Sequence, residues 1–417
     1  MSAIEVRGLS PLNGKIEIQG SKNAVLPMMA ATLLARGLTV IRHVPAIADV
    51  FCMIEILRSL GCVCQLAKGV LTVDSSVVDS VRIPEGFVGK MRSSVMVLGP
   101  LLARMGEAVT YYPGGCVLGK RPIDIHLKAL ESLGAETYEA GGMILARSNG
   151  LKGNRIIFRF PSVGATENAL MAAVTAEGTT VLSNCAREPE IVELCAFLTA
   201  MGARIEHAGE SELVIQGVRM LHPCEFSLGA DRICAGTYLT AALMVSGDVV
   251  VSGLNPEYLD GPLRLMERMG AVVQRNAKAR EIRVTAKERP CGFETVTGPY
   301  PAFPTDLQSP FLAAAAVARG ESRIEETVFE ARFAAALRLR DFGAVVRLSG
   351  CTAQVEGRYP LFPAIVRAPD LRGGAALILA ALAAEGASVI DGCEHIERGY
   401  EDICRDLLQI GADVRPL

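Results

Sequence analysis

Cys116 stands in the stretch YYPGGCVLGKRPIDIH, where a strand pattern ending at Tyr112 is broken by a proline and two glycines and where Lys120 and Arg121 follow closely. A thiol on such a glycine-flanked loop is expected to be exposed, and neighbouring cations favour its thiolate, so a chemical role is expected of it and of none of the other cysteines. Further cations sit in short, polar segments: Lys22 beside Asn23 in GSKNAVLP, Arg92 in KMRSS, Arg232 in ADRICAG, Arg332 in ETVFEARF, Arg372 in APDLRGG and Arg398 in EHIERGYED. Several arginines converging on one cleft suit a small polyanion, because guanidinium forks grip carboxylate and phosphate with two parallel hydrogen bonds. Acids and a serine occupy comparable places, Asp231, Asp306, Asp370 and Ser162. These either cap helices, as such residues commonly do, or face a ligand. Capping does not account for Lys22, Arg92, Arg232 and Arg372, whose charge opposes a helix N-terminus unless an anion is close.

The elements that must position these residues repeat. A helix ending in glycine and followed by a strand recurs six times, at Gly61, Gly134, Gly202, Gly270, Gly343 and Gly411, and each of the last three stands 209 residues after its counterpart in the first three. The chain therefore reads as two halves of three units. Every unit carries an earlier helix, with Gly37, Gly106, Gly178, Gly247, Gly320 or Gly386 expected as its left-handed cap. These earlier helices, such as NALMAAVTA, TYLTAALMV and FLAAAAVA, are apolar nearly all round and should be interior, whereas the later ones, such as DIHLKALESL, are amphipathic. Strands such as LTVIRHV and TTVLSNC join the two helices, and a hairpin such as ARIEHAG with SELVIQG closes the unit. Lys22, Asn23, Arg92, Ser162, Asp231, Arg232, Asp306, Asp370 and Arg372 fall at the starts of the interior helices, and Lys120, Arg121, Arg332 and Arg398 come from loops. The sixth unit stops at ADVRPL without its last strand, while AIEVRG and GKIEIQG at the N-terminus have no unit of their own. The expected fold is α/β: residues 22–229 form one domain, residues 1–21 and 230–417 the other, joined by a two-stranded hinge with the ligand cleft between them.

Composition limits what such a cleft can serve. A net charge of −3 and a pI near 6.1 provide no global field for nucleic acid or an acidic membrane surface, so anion binding must be local. The opening MSAIEVRGLSPLNGKIEIQG lacks the basic-then-apolar pattern of a secretory signal, and no apolar run reaches the roughly 20 residues that span a bilayer. A cytoplasmic protein is expected. The twelve cysteines form no CxxC pair and the five histidines show no zinc-ligand spacing, so no metal is expected and most thiols should be small buried hydrophobes.

Taken together, GSKNAVLP, PGGCVLGKRPIDIH, FPSVGATEN, YPAFPTDLQ, ETVFEARF, DLRGGAALI and HIERGYE resemble the motifs of the enolpyruvyl transferases, in that family's order and nearly end to end. The resemblance implies a pair of inside-out α/β barrels. It also implies transfer of the enolpyruvyl group of phosphoenolpyruvate to the 3′-hydroxyl of UDP-N-acetylglucosamine, an early step of peptidoglycan synthesis, by addition and then elimination of phosphate, without cofactor. By matching motifs, Lys22, Arg121 and Arg398 would hold the phosphoenolpyruvate phosphate, Arg332 and Arg372 its carboxylate, with Asn23 nearby. Asp306 would be the base at the attacking hydroxyl, and Cys116 the proton donor and site of a covalent adduct, with Lys22 and Arg398 completing the catalytic set. Asn23, Arg92, Arg121, Pro122, Ile123, Asp124, Ile125 and His126 would contact the sugar nucleotide, Ser162, Val163 and Gly164 its diphosphate, and Val328 its acetamido group. Cys234 stands where members often have an acid and Phe160 where some have lysine. The rival readings are 5-enolpyruvylshikimate-3-phosphate synthase, against which Asn23 and Cys116 argue, and a non-catalytic sugar-nucleotide-binding paralogue.

Overall fold

The structure is a computed structural model that describes residues 3–89, 91–112 and 123–417. Cys116, Lys120, Arg121 and Pro122 lie outside the described residues. The chain divides into two compact units, one running from Gly20 to Gly229 and the other comprising Ala230–Leu417 with the N-terminal segment up to Gln19.

Each unit builds three small sheets around interior helices. In the Gly20–Gly229 unit the interior helices are Lys22–Ala31, Leu98–Met105 and Val163–Ala173. In the other they are Arg232–Met244, Gln308–Val317 and Leu371–Leu382, which pack on one another. Every residue of Arg232–Met244 and of Gln308–Val317 is buried. That burial is why the sequence can be apolar all round, and why alanine and glycine dominate: small side chains let the helices approach closely. The outer helices, among them Ala48–Ser59 and Asp124–Ser132, bury one face and leave the other in water.

Two of the interior helices begin differently from expectation. Arg92–Val97 and Thr305–Leu307 are 3-10 turns, and α-helix begins only at Leu98 and Gln308. Pro100 and Pro310 give the reason. Each lacks the N–H that an α-helix would send back four residues, to Met96 or Asp306, so the turn before it tightens instead. The glycine caps also need one correction. Gly106 is the left-handed C-cap of its helix and Gly37, Gly178, Gly320 and Gly386 have positive φ, but at the fourth unit the left-handed residue is Ser246. Gly247 is required for space: a Cβ there would meet the Leu12 carbonyl oxygen at 2.7 Å.

The sheets show how the unpaired N-terminal strands are used. Among the described residues four of the six contain a hairpin, a strand antiparallel to it and a parallel edge strand; a fifth has the same layout with its hairpin replaced, and Glu107–Tyr111 with Glu136–Ala140 and Met143–Arg147 shows a parallel bridge between Arg82 and Val109 in the edge place. In the last unit Ala3–Arg7 replaces the missing hairpin strand, pairing antiparallel with both Ala387–Asp391 and Asp413–Pro416. Asn13–Glu17 supplies the parallel edge to Asp248–Ser252. Glu225–Ser227 does the same for Leu38–Arg42 in the first unit, so each set of three closes on itself.

Candidate functional site

Lys22, Asn23, Arg92, Ser162, Val163, Gly164, Asp306 and Arg372 fall where the interior helices start, whereas Asp124, Ile125 and His126 open an outer helix and Val328, Arg332 and Arg398 lie outside these helices. In the Gly20–Gly229 unit Lys22 is the first residue of its helix, and its Nζ lies 2.8 Å from Asp49 Oδ2, both side chains being nearly buried. Asp49, in the first turn of Ala48–Ser59, thus supplies the anion that a lysine at a helix N-terminus requires. Asn23 follows it in the same turn. Arg92 opens its 3-10 turn. Ser162 is a true N-cap, its Oγ accepting from the Ala165 amide at 3.4 Å, which leaves Val163 and Gly164 in the first turn, where amides have no partner within the helix.

Ile123 precedes the helix Asp124–Ser132, which carries Asp124, Ile125 and His126 in its first turn. Asp124 Oδ2 pairs with the exposed Arg159 at 2.5 Å, while its Oδ1 is buried without a hydrogen-bond partner. Phe160, adjacent to Arg159, is exposed. His126 is buried, and burial, reinforced by the Arg92 charge, pushes its pKa down to about 3. It is a neutral imidazole at physiological pH.

In the other unit the 3-10 turn Thr305–Leu307 carries Asp306 in its first turn. Its Oδ1 accepts from Arg332 Nη2 at 2.8 Å and its Oδ2 lies 3.3 Å from Arg372 Nη2. Both arginine side chains are 3% exposed, against 27% for Asp306. Burial opposes the Arg372 charge, but Asp306 first, then Tyr400, Asp231 and Cys234, outweigh it and hold its pKa above the ordinary arginine value. Two donors of this group, Arg332 Nε and Arg372 Nη1, are buried with no hydrogen-bond partner. Buried guanidinium donors left unmatched cost stability, which makes them sites for an incoming acceptor.

The other two acids at helix starts behave differently. Asp231 Oδ1 accepts from the amides of Ile233 and Cys234, and Asp370 Oδ1 from those of Arg372 and Gly373. They are caps, as the plainer of the two readings has it. Asp370 in particular fixes the turn from which Arg372 reaches Asp306. Cys234, fully buried, donates to the Gly399 carbonyl at 3.6 Å, and burial raises its thiol pKa well above the usual value. Arg398 ends the 3-10 turn Ile396–Arg398. Arg232 lies 5.7 Å from the Tyr300 ring centroid.

Glu326 was not singled out by the sequence, although it belongs to the quoted segment ETVFEARF. Buried, it accepts through Oε1 from the amides of Val328 at 2.8 Å and Phe329 at 3.0 Å, and through Oε2 from Thr305 Oγ1 at 2.9 Å. One carboxylate therefore ties the Val328 loop to the residue preceding Asp306. Asp49 and Glu326 are not legible in the sequence because an acid in a loop or helix has no local signature of the partner that folding brings to it.

The cysteine expectations need one correction. Seven of the eleven described thiols are buried, and burial raises those of Cys62, Cys195 and Cys404 to about 12. Cys291 and Cys351, however, are exposed, so exposure does not by itself set Cys116 apart. Among the described residues no group of three or more His, Cys, Asp and Glu is arranged to hold a metal ion, and no helix is long and apolar enough to cross a membrane.

Comparison with known proteins adds the family. The EPSP synthase (3-phosphoshikimate 1-carboxyvinyltransferase) family matches residues 6–407. UDP-N-acetylglucosamine 1-carboxyvinyltransferase 2 of Caldanaerobacter subterraneus subsp. tengcongensis is 42% identical, with 99% of each chain covered. UDP-N-acetylglucosamine 1-carboxyvinyltransferase of Cellvibrio japonicus is 45% identical over 100% of this chain and 99% of that protein. Among solved structures, the enolpyruvyl transferase NikO from Streptomyces tendae superposes with a TM-score of 0.89 at 27% identity, covering 99% of this chain and 98% of that one. EPSP synthase from Acinetobacter baumannii, at 19% identity and a TM-score of 0.76 over 100% of this chain and 99% of the other, shares the fold. With its interior helices, its six small sheets and its end-to-end match to these relatives, the chain belongs to the enolpyruvyl (carboxyvinyl) transferase family.

Proposed function

We propose that this enzyme transfers the carboxyvinyl group of phosphoenolpyruvate to the 3′-hydroxyl of UDP-N-acetylglucosamine, releasing phosphate, as the first committed step of peptidoglycan synthesis in the cytoplasm. The observation that carries the reading is Asp306 gripped by two buried arginines that still have unmatched donors. An acid and a carboxylate-binding fork are what this chemistry needs side by side: the fork takes the phosphoenolpyruvate carboxylate, and Asp306 faces the hydroxyl that attacks its C2.

In this reading the sugar hydroxyl oxygen bonds to C2 while its proton passes to Asp306, and the methylene carbon gains a proton from the Cys116 thiol. The tetrahedral adduct then returns a methyl proton to the Cys116 thiolate as its C2–O bond to phosphate breaks, which restores the double bond and leaves the enol ether and inorganic phosphate. Lys22, Arg121 and Arg398 hold the phosphate, so the departing charge meets cations already in place. Asn23, Arg92, Pro122, Ile123, Asp124, Ile125 and His126 receive the sugar nucleotide, and the first-turn amides at Ser162, Val163 and Gly164 its diphosphate. The Val328 amide is engaged by Glu326, and its carbonyl is assigned to the acetamido N–H. Both substrates are small molecules. Protein acids already stand beside Lys22 and Arg372, so substrate anions join or displace Asp49 and Asp306 rather than entering an uncompensated cationic site.

Phosphate release measured with phosphoenolpyruvate and either UDP-N-acetylglucosamine, shikimate 3-phosphate or no acceptor separates this reading from its rivals. Release dependent on the sugar nucleotide is expected. Release dependent on shikimate 3-phosphate, or none with any acceptor, contradicts it.

A further inference from the structure

Asn168 lies in the second turn of Val163–Ala173 and is wholly buried. Its side-chain oxygen accepts from the Gly99 amide at 2.9 Å, and its side-chain nitrogen donates to the Val95 carbonyl at 3.0 Å. These two bonds fix which way the amide points. A flipped amide would set its NH2 against the Gly99 N–H and its oxygen against the Val95 oxygen, donor on donor and acceptor on acceptor. The second N–H of the correctly oriented amide is left for His126 Nδ1 at 2.9 Å, the Met96 Sδ at 3.9 Å being a much weaker acceptor. Nδ1 must therefore be the acceptor, and the single proton of a neutral imidazole must be on Nε2. An imidazolium is excluded for the same reason, since Nδ1–H would oppose the Asn168 N–H.

The other edge of the ring meets the helix start. A Cβ built on Gly164 would lie 2.9 Å from His126 Cε1 and 3.3 Å from Nε2, so the ring lies directly against Gly164. We infer that Asn168 is a positioning residue that locks His126 in its Nε2–H tautomer, setting a neutral hydrogen-bond donor beside the Gly164 turn for the diphosphate of a sugar nucleotide. The assignment of a diphosphate to that turn rests on the function proposed above; the tautomer does not. A neutral donor suits this place because it adds a directed hydrogen bond without another buried cation beside Arg92, whose charge already bears on the ring. The same Asn168 carboxamide ties the Arg92–Val97 turn to Val163–Ala173, so the donor and both helix starts hold one geometry.

The test is nitrogen NMR of the full chain labelled with 15N-histidine, the His126 signals being those lost in His126→Gln. The expected spectrum shows an unprotonated Nδ1 and a protonated Nε2, and UDP-N-acetylglucosamine shifts the Nε2–H signal. A protonated Nδ1, or a mixture of tautomers, in the wild-type chain overturns the inference. So does an Nε2–H signal unmoved when the sugar nucleotide saturates the protein. Asn168→Asp, which presents only acceptors to the ring, is expected to move the proton to Nδ1. It should raise the KM for UDP-N-acetylglucosamine on the order of tenfold, as for a lost hydrogen bond to a charged group, with the KM for phosphoenolpyruvate little changed. Equal rises in both contradict the positioning role. A wild-type chain with the Nε2–H tautomer but no transfer activity would instead sink the proposed function and leave the tautomer standing.

Discussion

Asp306 differs from Asp231 and Asp370 in what it accepts: they take amides of their own helices, whereas Asp306 takes two guanidinium groups from elsewhere in its unit. All three acids look alike in the sequence, since each precedes an apolar helix, and the distinction between cap and ligand-facing acid exists only once Arg332 and Arg372 are folded against one of them. Asp306→Asn keeps the shape and can still accept hydrogen bonds, but it cannot take the hydroxyl proton. Turnover is expected to fall on the order of 10²–10⁴-fold while sugar-nucleotide binding by calorimetry is retained. Near-normal turnover would return Asp306 to a purely structural role. Cys116 makes a second prediction at this scale. A small phosphonate epoxide such as fosfomycin, held by the phosphate-binding cations, is expected to alkylate Cys116 faster than any other thiol, as read by peptide mass spectrometry. Cys291 and Cys351 are the demanding controls because they are exposed, whereas the buried thiols with raised pKa values would stay unreactive in any case. Label shared evenly among Cys116, Cys291 and Cys351 removes the reason for a catalytic assignment.

Interior helices were legible as elements because they are apolar all round and recur at a fixed interval, and their starts were legible because polar residues cluster there. What the sequence could not convey was the form of those starts. Pro100 and Pro310 turn two of them into 3-10 turns, and at Asp306 this happens within the residue's own turn. The loop carrying Val328 is likewise anchored by a residue without a local signal, Glu326, whose three hydrogen bonds join it to Thr305. Glu326→Ala leaves two amides and a hydroxyl without their acceptor, so the loop should lose its fixed relation to Asp306. The expected result is a KM for UDP-N-acetylglucosamine raised on the order of tenfold or more, with the KM for phosphoenolpyruvate nearly unchanged, because the change falls on the acetamido contact and spares the arginine fork. Steady-state kinetics with each substrate varied in turn decides it. A matching rise in both constants would mean that Glu326 merely supports the fold.

At the scale of the molecule, the chain begins in the middle of its last sheet. Ala3–Arg7 lies between Ala387–Asp391 and Asp413–Pro416, and Asn13–Glu17 edges the sheet of Asp248–Ser252, so the N-terminal strands finish what the C-terminal unit lacks. The repeat made this legible: once six copies were aligned, two strands were surplus at one end and one was missing at the other. Among the described residues each unit holds three small sheets, and each has helix starts that carry residues assigned to the substrates. The whole arrangement is therefore assigned one reaction, and the product states most directly whether that is right. Purified chain incubated with phosphoenolpyruvate and UDP-N-acetylglucosamine should convert the sugar nucleotide to a species heavier by one carboxyvinyl group. Mass spectrometry should give that mass and NMR an enol ether on the 3′-oxygen, in step with phosphate release. Phosphate released without this ether, or a sugar nucleotide recovered unchanged while shikimate 3-phosphate is consumed, would contradict the account.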